Sequence, residues 1–131
     1  MVDPTPALHI YDRDIQSNER TSLSVLATYI AAGSRVLDLG CGSGAIGRFL
    51  AARDGTAAGP VDGLTLSADE ARLAAPHYRQ VKVADLDAVN LAEHFDAGGY
   101  DVIVCADVLE HLRDSAPVLA ACKSLLSPDG L

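Results

Sequence analysis

Positive charge is scarce in this sequence: ten Lys and Arg stand against eighteen Asp and Glu, for a formal net charge of −8. The ten are scattered, and neutralising a phosphate backbone takes clustered Lys and Arg, so no nucleic-acid partner is expected. No apolar run approaches the ~20 residues that span a bilayer, so no membrane partner is expected either. The opening Met1-Val2-Asp3-Pro4 lacks the basic flank and apolar stretch of a secretion signal. Cysteine is limited to Cys41, Cys105 and Cys122, an odd number without CxxC or Cys/His spacing. These read as free thiols in a reducing cytoplasm, and no metal site is expected. Repeats and low-complexity tracts are also missing. What is there is apolar substance, 49% of 131 residues, which suits one ordered domain with a modest core.

The most informative stretch runs from Arg35 to Gly47. Val36 to Leu39 is a short apolar run suited to a strand buried on both faces, and Gly40, Gly42 and Gly44 then allow a tight turn. A helix is expected from about Gly44, burying Ile46, Phe49 and Leu50. Strand, glycine turn and helix make a cradle in which exposed N–H groups and missing side chains let a cofactor lie against the backbone. Gly42-x-Gly44-x-x-Gly47 also satisfies the dinucleotide pattern, but such short patterns recur by chance. Asp38 discriminates: a carboxylate ending the first strand repels a pyrophosphate and suits a ligand carrying an ammonium and a sulfonium, as S-adenosylmethionine does.

With acidic Asp38 followed by Gly40, Gly42 and Gly44, the sequence resembles the class I S-adenosylmethionine-dependent methyltransferases. The stretches Val61 to Ser67, Val83 to Leu86 and Tyr100 to Leu112 extend that resemblance. It implies an α/β, Rossmann-like doubly wound sheet with parallel strands in the order 3-2-1-4, helices on both faces, truncated before the fifth strand. An N-terminal arm is expected over residues 1–17 and the cofactor-binding domain over 18–131. Within the arm region and just beyond it, the resemblance places Tyr11 and Arg20 where a lid would cover the cofactor, although a packing tyrosine and a solvated arginine are the plainer reading.

The further strands are expected at Val61 to Leu66, Gln80 to Ala84 and Tyr100 to Ala106. Ser67-Ala68-Asp69-Glu70 is a capping-box pattern that starts a helix at Ala68, which Pro76 ends. Ser115 is expected to cap a last helix, with Pro117 in its first turn and Val118, Leu119, Cys122, Leu125 and Leu126 along one side. By resemblance, Asp38, Gly40, Cys41, Gly42 and Gly44 bind the cofactor. Thr65 and Leu66 take the ribose and adenine, Asp85 and the Leu86 N–H bind the adenine edge, and Ala106 and Asp107 flank the methionine portion. Thr65 departs from the family, which normally carries an acid there, so ribose binding is expected to be weaker or rearranged. An alternative for Asp85 is capping the turn that follows it. In Val108-Leu109-Glu110-His111, His111 is the candidate base for a hydroxyl or amine acceptor, with anchoring of the turn as the competing reading.

The resulting expectation is a methyltransferase domain with S-adenosylmethionine as cofactor and a small-molecule or glycan-like acceptor. Its rivals are a non-catalytic docking module of a larger protein and a nicotinamide-dependent oxidoreductase. The chain is read as the N-terminal portion of a longer polypeptide, and a fourth strand without an outer partner is expected to invite self-association.

Overall fold

The computed structural model describes residues 25–26, 28–55, 61–106 and 108–131. Four strands, β1 (Val36–Leu39), β2 (Val61–Thr65), β3 (Gln80–Val83) and β4 (Val102–Val104), form a parallel sheet in the order β3-β2-β1-β4. This is the expected order. It leaves β1 in the centre with a change of winding direction between β1 and β4, where open α/β sheets bind ligands beyond the strand ends. Helices α1 (Ala45–Asp54), α2 (Ala68–Ala74) and α3 (Ala116–Leu125) cover the sheet, and single 3-10 turns occupy Ala75–His77, Leu91–Glu93 and Leu109–His111.

Alternation along β1 divides the core into two layers. Val36 joins Ile46, Leu50, Val61, Tyr78 and Val104 on the α1 side, while Leu37 and Leu39 join Leu64, Phe95, Tyr100 and Leu125 on the α3 side. On the α1 side Phe49 is only partly buried. Thr65 falls on that side too, since Val36 pairs with Val61 and Asp38 with Gly63.

Several boundaries differ from expectation for local physical reasons. β4 is three residues long because Tyr100 is drawn aside into a bridge with Leu126, and its carbonyl accepts the Ser127 N–H at 2.7 Å. Ser115 makes no side-chain cap; the carboxylate of Asp114 instead accepts the Ala116 N–H at 3.1 Å. Leu119 does not line the core and is 49% exposed. The outer edge of β4 is not bare: Leu131 donates to the Asp101 carbonyl at 2.8 Å and accepts from the Ile103 N–H at 2.9 Å, a parallel pairing one residue long.

Opposite the strand ends that carry the candidate site, Asp62 is fully buried in β2. Arg79 grips it with two bonds of 2.8 and 2.6 Å, Gln80 adds one of 3.1 Å, and the Tyr100 hydroxyl donates to the same carboxylate. The Arg35 guanidinium lies 5.4 Å over the Tyr100 ring, a cation–π contact. Burial alone would raise the Asp62 pKa, but the bonds from Arg79, Tyr100 and Gln80 outweigh it and hold the carboxyl below the ordinary value.

Candidate functional site

The glycine bend follows β1 directly. Gly40, Gly42 and Gly44 all take positive φ, at 77°, 56° and 98°. Three of its N–H groups are already engaged: Gly44 donates to the Cys41 carbonyl at 3.0 Å, and Gly40 and Cys41 both donate to the Leu64 carbonyl, at 2.7 and 2.9 Å. This fastens the bend to the end of β2 and leaves these N–H groups engaged within the protein. The Gly42 N–H has no partner among the described residues. Arg48 ties the bend from the other side, donating to the Ser43 carbonyl at 2.9 Å.

Glycine is demanded here by neighbours within the protein. A Cβ on Gly44 would come within 2.9 Å of the Ala74 backbone, one on Gly47 within 2.2 Å of the Tyr78 ring, and one on Gly63 within 3.0 Å of that ring. Tyr78 thus sits in a socket floored by three glycines from β2, the bend and α1. Its hydroxyl donates to Asp38 Oδ2 at 2.6 Å and accepts the Gly47 N–H at 3.2 Å. Nothing local in the sequence singles out Tyr78, because the socket assembles from segments far apart in the chain.

Asp38 is only 2% exposed, so its carboxylate lies under the bend against Tyr78, not on the open side of the bend. The open placement of this carboxylate expected from sequence is therefore corrected: the alternation of β1 turns it inward. Burial pushes the Asp38 pKa up to about 6, with the Tyr78 hydrogen bond pulling partly back. The sign for stability follows. A carboxyl whose folded value lies above its unfolded value of 3.8 binds more protons when folded, so stability falls as pH rises from about 4 to about 6. Across that window the cost is about 3 kcal/mol. Asp38→Asn should remove it: urea unfolding of both proteins at pH 4 and pH 7 should show their stability difference shifting by about 3 kcal/mol in favour of Asn at the higher pH. An unchanged difference would mean that the carboxyl does not titrate in this range.

The other expected residues line the same end of the sheet. The Cys41 thiol is buried behind the bend, and burial, then the charges of Asp38 and Glu70, push its pKa up. That makes it a packing group with no nucleophilic thiolate. Thr65 ends β2, buried, and its hydroxyl donates to Glu70 Oε1 at 3.2 Å. Leu66 follows with 71% of its surface exposed, and Leu86 is half-buried. Asp85 Oδ1 accepts the Asp87 N–H at 2.9 Å, so the capping alternative is realised by one oxygen, while Oδ2 has no partner among the described residues. Ala106 is half-buried at the turn after β4, and Asp107, Tyr11 and Arg20 lie outside the described residues. Val108 leans over the bend, where a Cβ on Gly40 would meet its Cγ2 at 2.3 Å. His111 is exposed on the turn that Val108 opens, its N–H donating to the Val108 carbonyl at 3.0 Å.

A family model described as "Methyltransferase domain" matches residues 37–131. Among curated proteins, a ubiquinone biosynthesis O-methyltransferase from Acinetobacter baylyi is 33% identical over 105 residues, covering 76% of this chain and 42% of its own. The protein of that name from Thiobacillus denitrificans is 37% identical over 102 residues, with the same coverage of 76% and 42%. The chain therefore spans less than half the length of these relatives. Among solved structures, a TehB-like SAM-dependent methyltransferase from Corynebacterium glutamicum superposes with a TM-score of 0.63 at 25% identity, over 95% of this chain and 64% of that one. A SAM-dependent methyltransferase from Thiobacillus denitrificans, solved with S-adenosyl-L-homocysteine, gives 0.63 at 24% identity, over 98% and 53%, a likeness of fold.

Proposed function

Since the chain belongs to the methyltransferase domain family matched over residues 37–131, we propose that it binds S-adenosylmethionine at the carboxyl ends of β1–β4 and forms the cofactor half of a small-molecule methyltransferase. The observation that carries this reading is the buried Asp38 carboxylate beneath a bend whose Gly42 N–H is unengaged. A buried acid held up at a pKa of about 6 is a negative site short of positive charge, and a cation resting on the bend supplies it. A pyrophosphate there would meet repulsion instead. The residues present therefore fit an S-adenosyl ligand.

Asp38 attracts the ammonium through the bend, the Gly42 N–H can donate to the ligand's carboxylate or to a water bridging to it, and the exposed Leu66 offers an apolar face to the adenine. Asp85 Oδ2 is available for the exocyclic amino group. The chemistry the cofactor supplies when bound is a methyl group on a sulfonium, transferred in line without a covalent protein intermediate. The protein's share is chiefly placement, with the nucleophile about 3 Å from the methyl carbon. The relatives' name supports a hydroxyl of a small molecule as acceptor in preference to a glycan. His111, exposed on the turn beside the bend, is the candidate to receive that hydroxyl's proton on an imidazole nitrogen. The three free thiols support a reducing compartment, and no helix among the described residues is long and apolar enough to cross a membrane.

Calorimetric titration of the full chain with S-adenosylhomocysteine and, separately, with NAD tests the reading. Saturable heat is expected with the first and none with the second. Silence at millimolar S-adenosylhomocysteine from a folded sample would sink the proposal and favour a docking module.

A further inference from the structure

Thr65 stands at the strand end where the expected acid is missing, yet a carboxylate is present at that spot from another source. We propose that Glu70, reaching from α2 and held by the Thr65 hydroxyl, is the acceptor for the two ribose hydroxyls of the bound nucleoside. The inference rests on the S-adenosyl reading above and assigns a residue to its central portion.

Three observations converge. The Thr65 hydroxyl donates to Glu70 Oε1 at 3.2 Å, which brings the carboxylate back from the helix to the carboxyl end of β2. A glutamate at this position of a capping box would ordinarily turn toward the Ser67 N–H. Here only one half of the box forms, the Ser67 hydroxyl accepting the Glu70 N–H at 3.3 Å, and the carboxylate goes to Thr65 instead. Its second oxygen has no partner among the described residues, and no cation neutralises it there.

Topology then decides what would meet it. An S-adenosyl ligand lying with its amino-acid end at the β1–β4 switch and its adenine near Asp85 after β3 must cross the end of β2 with its middle portion. That portion is a vicinal diol, two donors side by side, which a carboxylate accepts with both oxygens. Thr65 acts as a positioning residue: its hydroxyl supplies the hydrogen bond that aims Glu70, while the charge that a threonine lacks comes from five residues further on.

The test is calorimetry on the full chain with S-adenosylhomocysteine and its 2′,3′-dideoxy counterpart, for wild type, Glu70→Gln and Thr65→Val, with melting temperatures as a check on folding. Glu70→Gln should weaken the diol ligand about ten- to a hundredfold and leave the dideoxy ligand unchanged, because charge-assisted hydrogen bonds contribute on that scale. Thr65→Val should reduce the preference for the diol in the same direction but by less. Equal weakening of both ligands, or no weakening of either, would overturn the assignment while leaving the cofactor reading in place. A folded wild type that binds neither ligand would overturn both.

Discussion

Tyr78→Ala should lower the stability of this chain by about 3–5 kcal/mol, the range for truncating a large buried aromatic. Tyr78 is 3% exposed and fills the space between the sheet and α1, so little can collapse into the void. Two further costs add to the cavity: the Asp38 carboxylate loses its donor and the Gly47 N–H its acceptor. Tyr78→Phe isolates those costs, and about 1–3 kcal/mol is expected from it. The sharper outcome concerns Gly47. In the native protein Gly47→Ala drives a Cβ to 2.2 Å from Tyr78 Cε1, and overpacking of that kind costs about 1–3 kcal/mol. With Tyr78 already replaced by alanine the clash is gone, and alanine becomes the better helix former by up to ~1 kcal/mol. The effect of one substitution should therefore reverse sign with the state of the other. Urea unfolding of the four proteins reads this directly; an equal cost of Gly47→Ala in both backgrounds would show that the tyrosine is not what demands the glycine.

Asp62→Ala is expected to cost about 3 kcal/mol, the lower end of the range for breaking a buried ion pair. The lower end applies because the Arg79 side chain is 46% exposed and can turn out to water, whereas Tyr100 is wholly buried and cannot. Much of the loss should therefore sit on the orphaned Tyr100 hydroxyl. Tyr100→Phe added to Asp62→Ala should then cost almost nothing, although Tyr100→Phe alone costs about 1 kcal/mol. The pH sign is opposite to that of Asp38. With the folded pKa below the unfolded one, Asp62 contributes its stabilisation above the ordinary carboxylate range and loses it as pH falls through the folded value. Chemical denaturation of wild type and Asp62→Ala between pH 2 and pH 7 should show the gap closing in acid, and a gap independent of pH would refute the assignment.

The parts of the molecule that could be read from sequence depend on short-range signals. Val36 to Leu39 as a buried strand, Ala68 as a helix start and the strand order follow from apolar runs, capping residues and resemblance, and the same topology brings Gly40, Thr65, Asp85 and Ala106 to one end of the sheet. What resists such reading is non-local. The Gly40 and Cys41 N–H groups look free until β2 presents the Leu64 carbonyl to them. Gly44 and Gly47 read as room for a ligand, while the space beside their α-carbons is taken by Ala74 and Tyr78. Glu70 fits a capping box by spacing alone, and only the neighbouring strand end reveals the Thr65 hydroxyl that draws its carboxylate elsewhere. Asp38 is identifiable as the distinctive acid, yet the direction of its side chain is set by the alternation of β1, which turns it inward toward the α1 layer.

Leu131, bonded on both sides to β4, fixes a parity. Side chains along a strand alternate with period two, so a single anchored residue decides on which face of the sheet every odd and every even position must fall. Any polypeptide continuing along that edge would be locked into one phase from its first step, and inserting or deleting one residue after Leu131 would turn its inward-facing set outward.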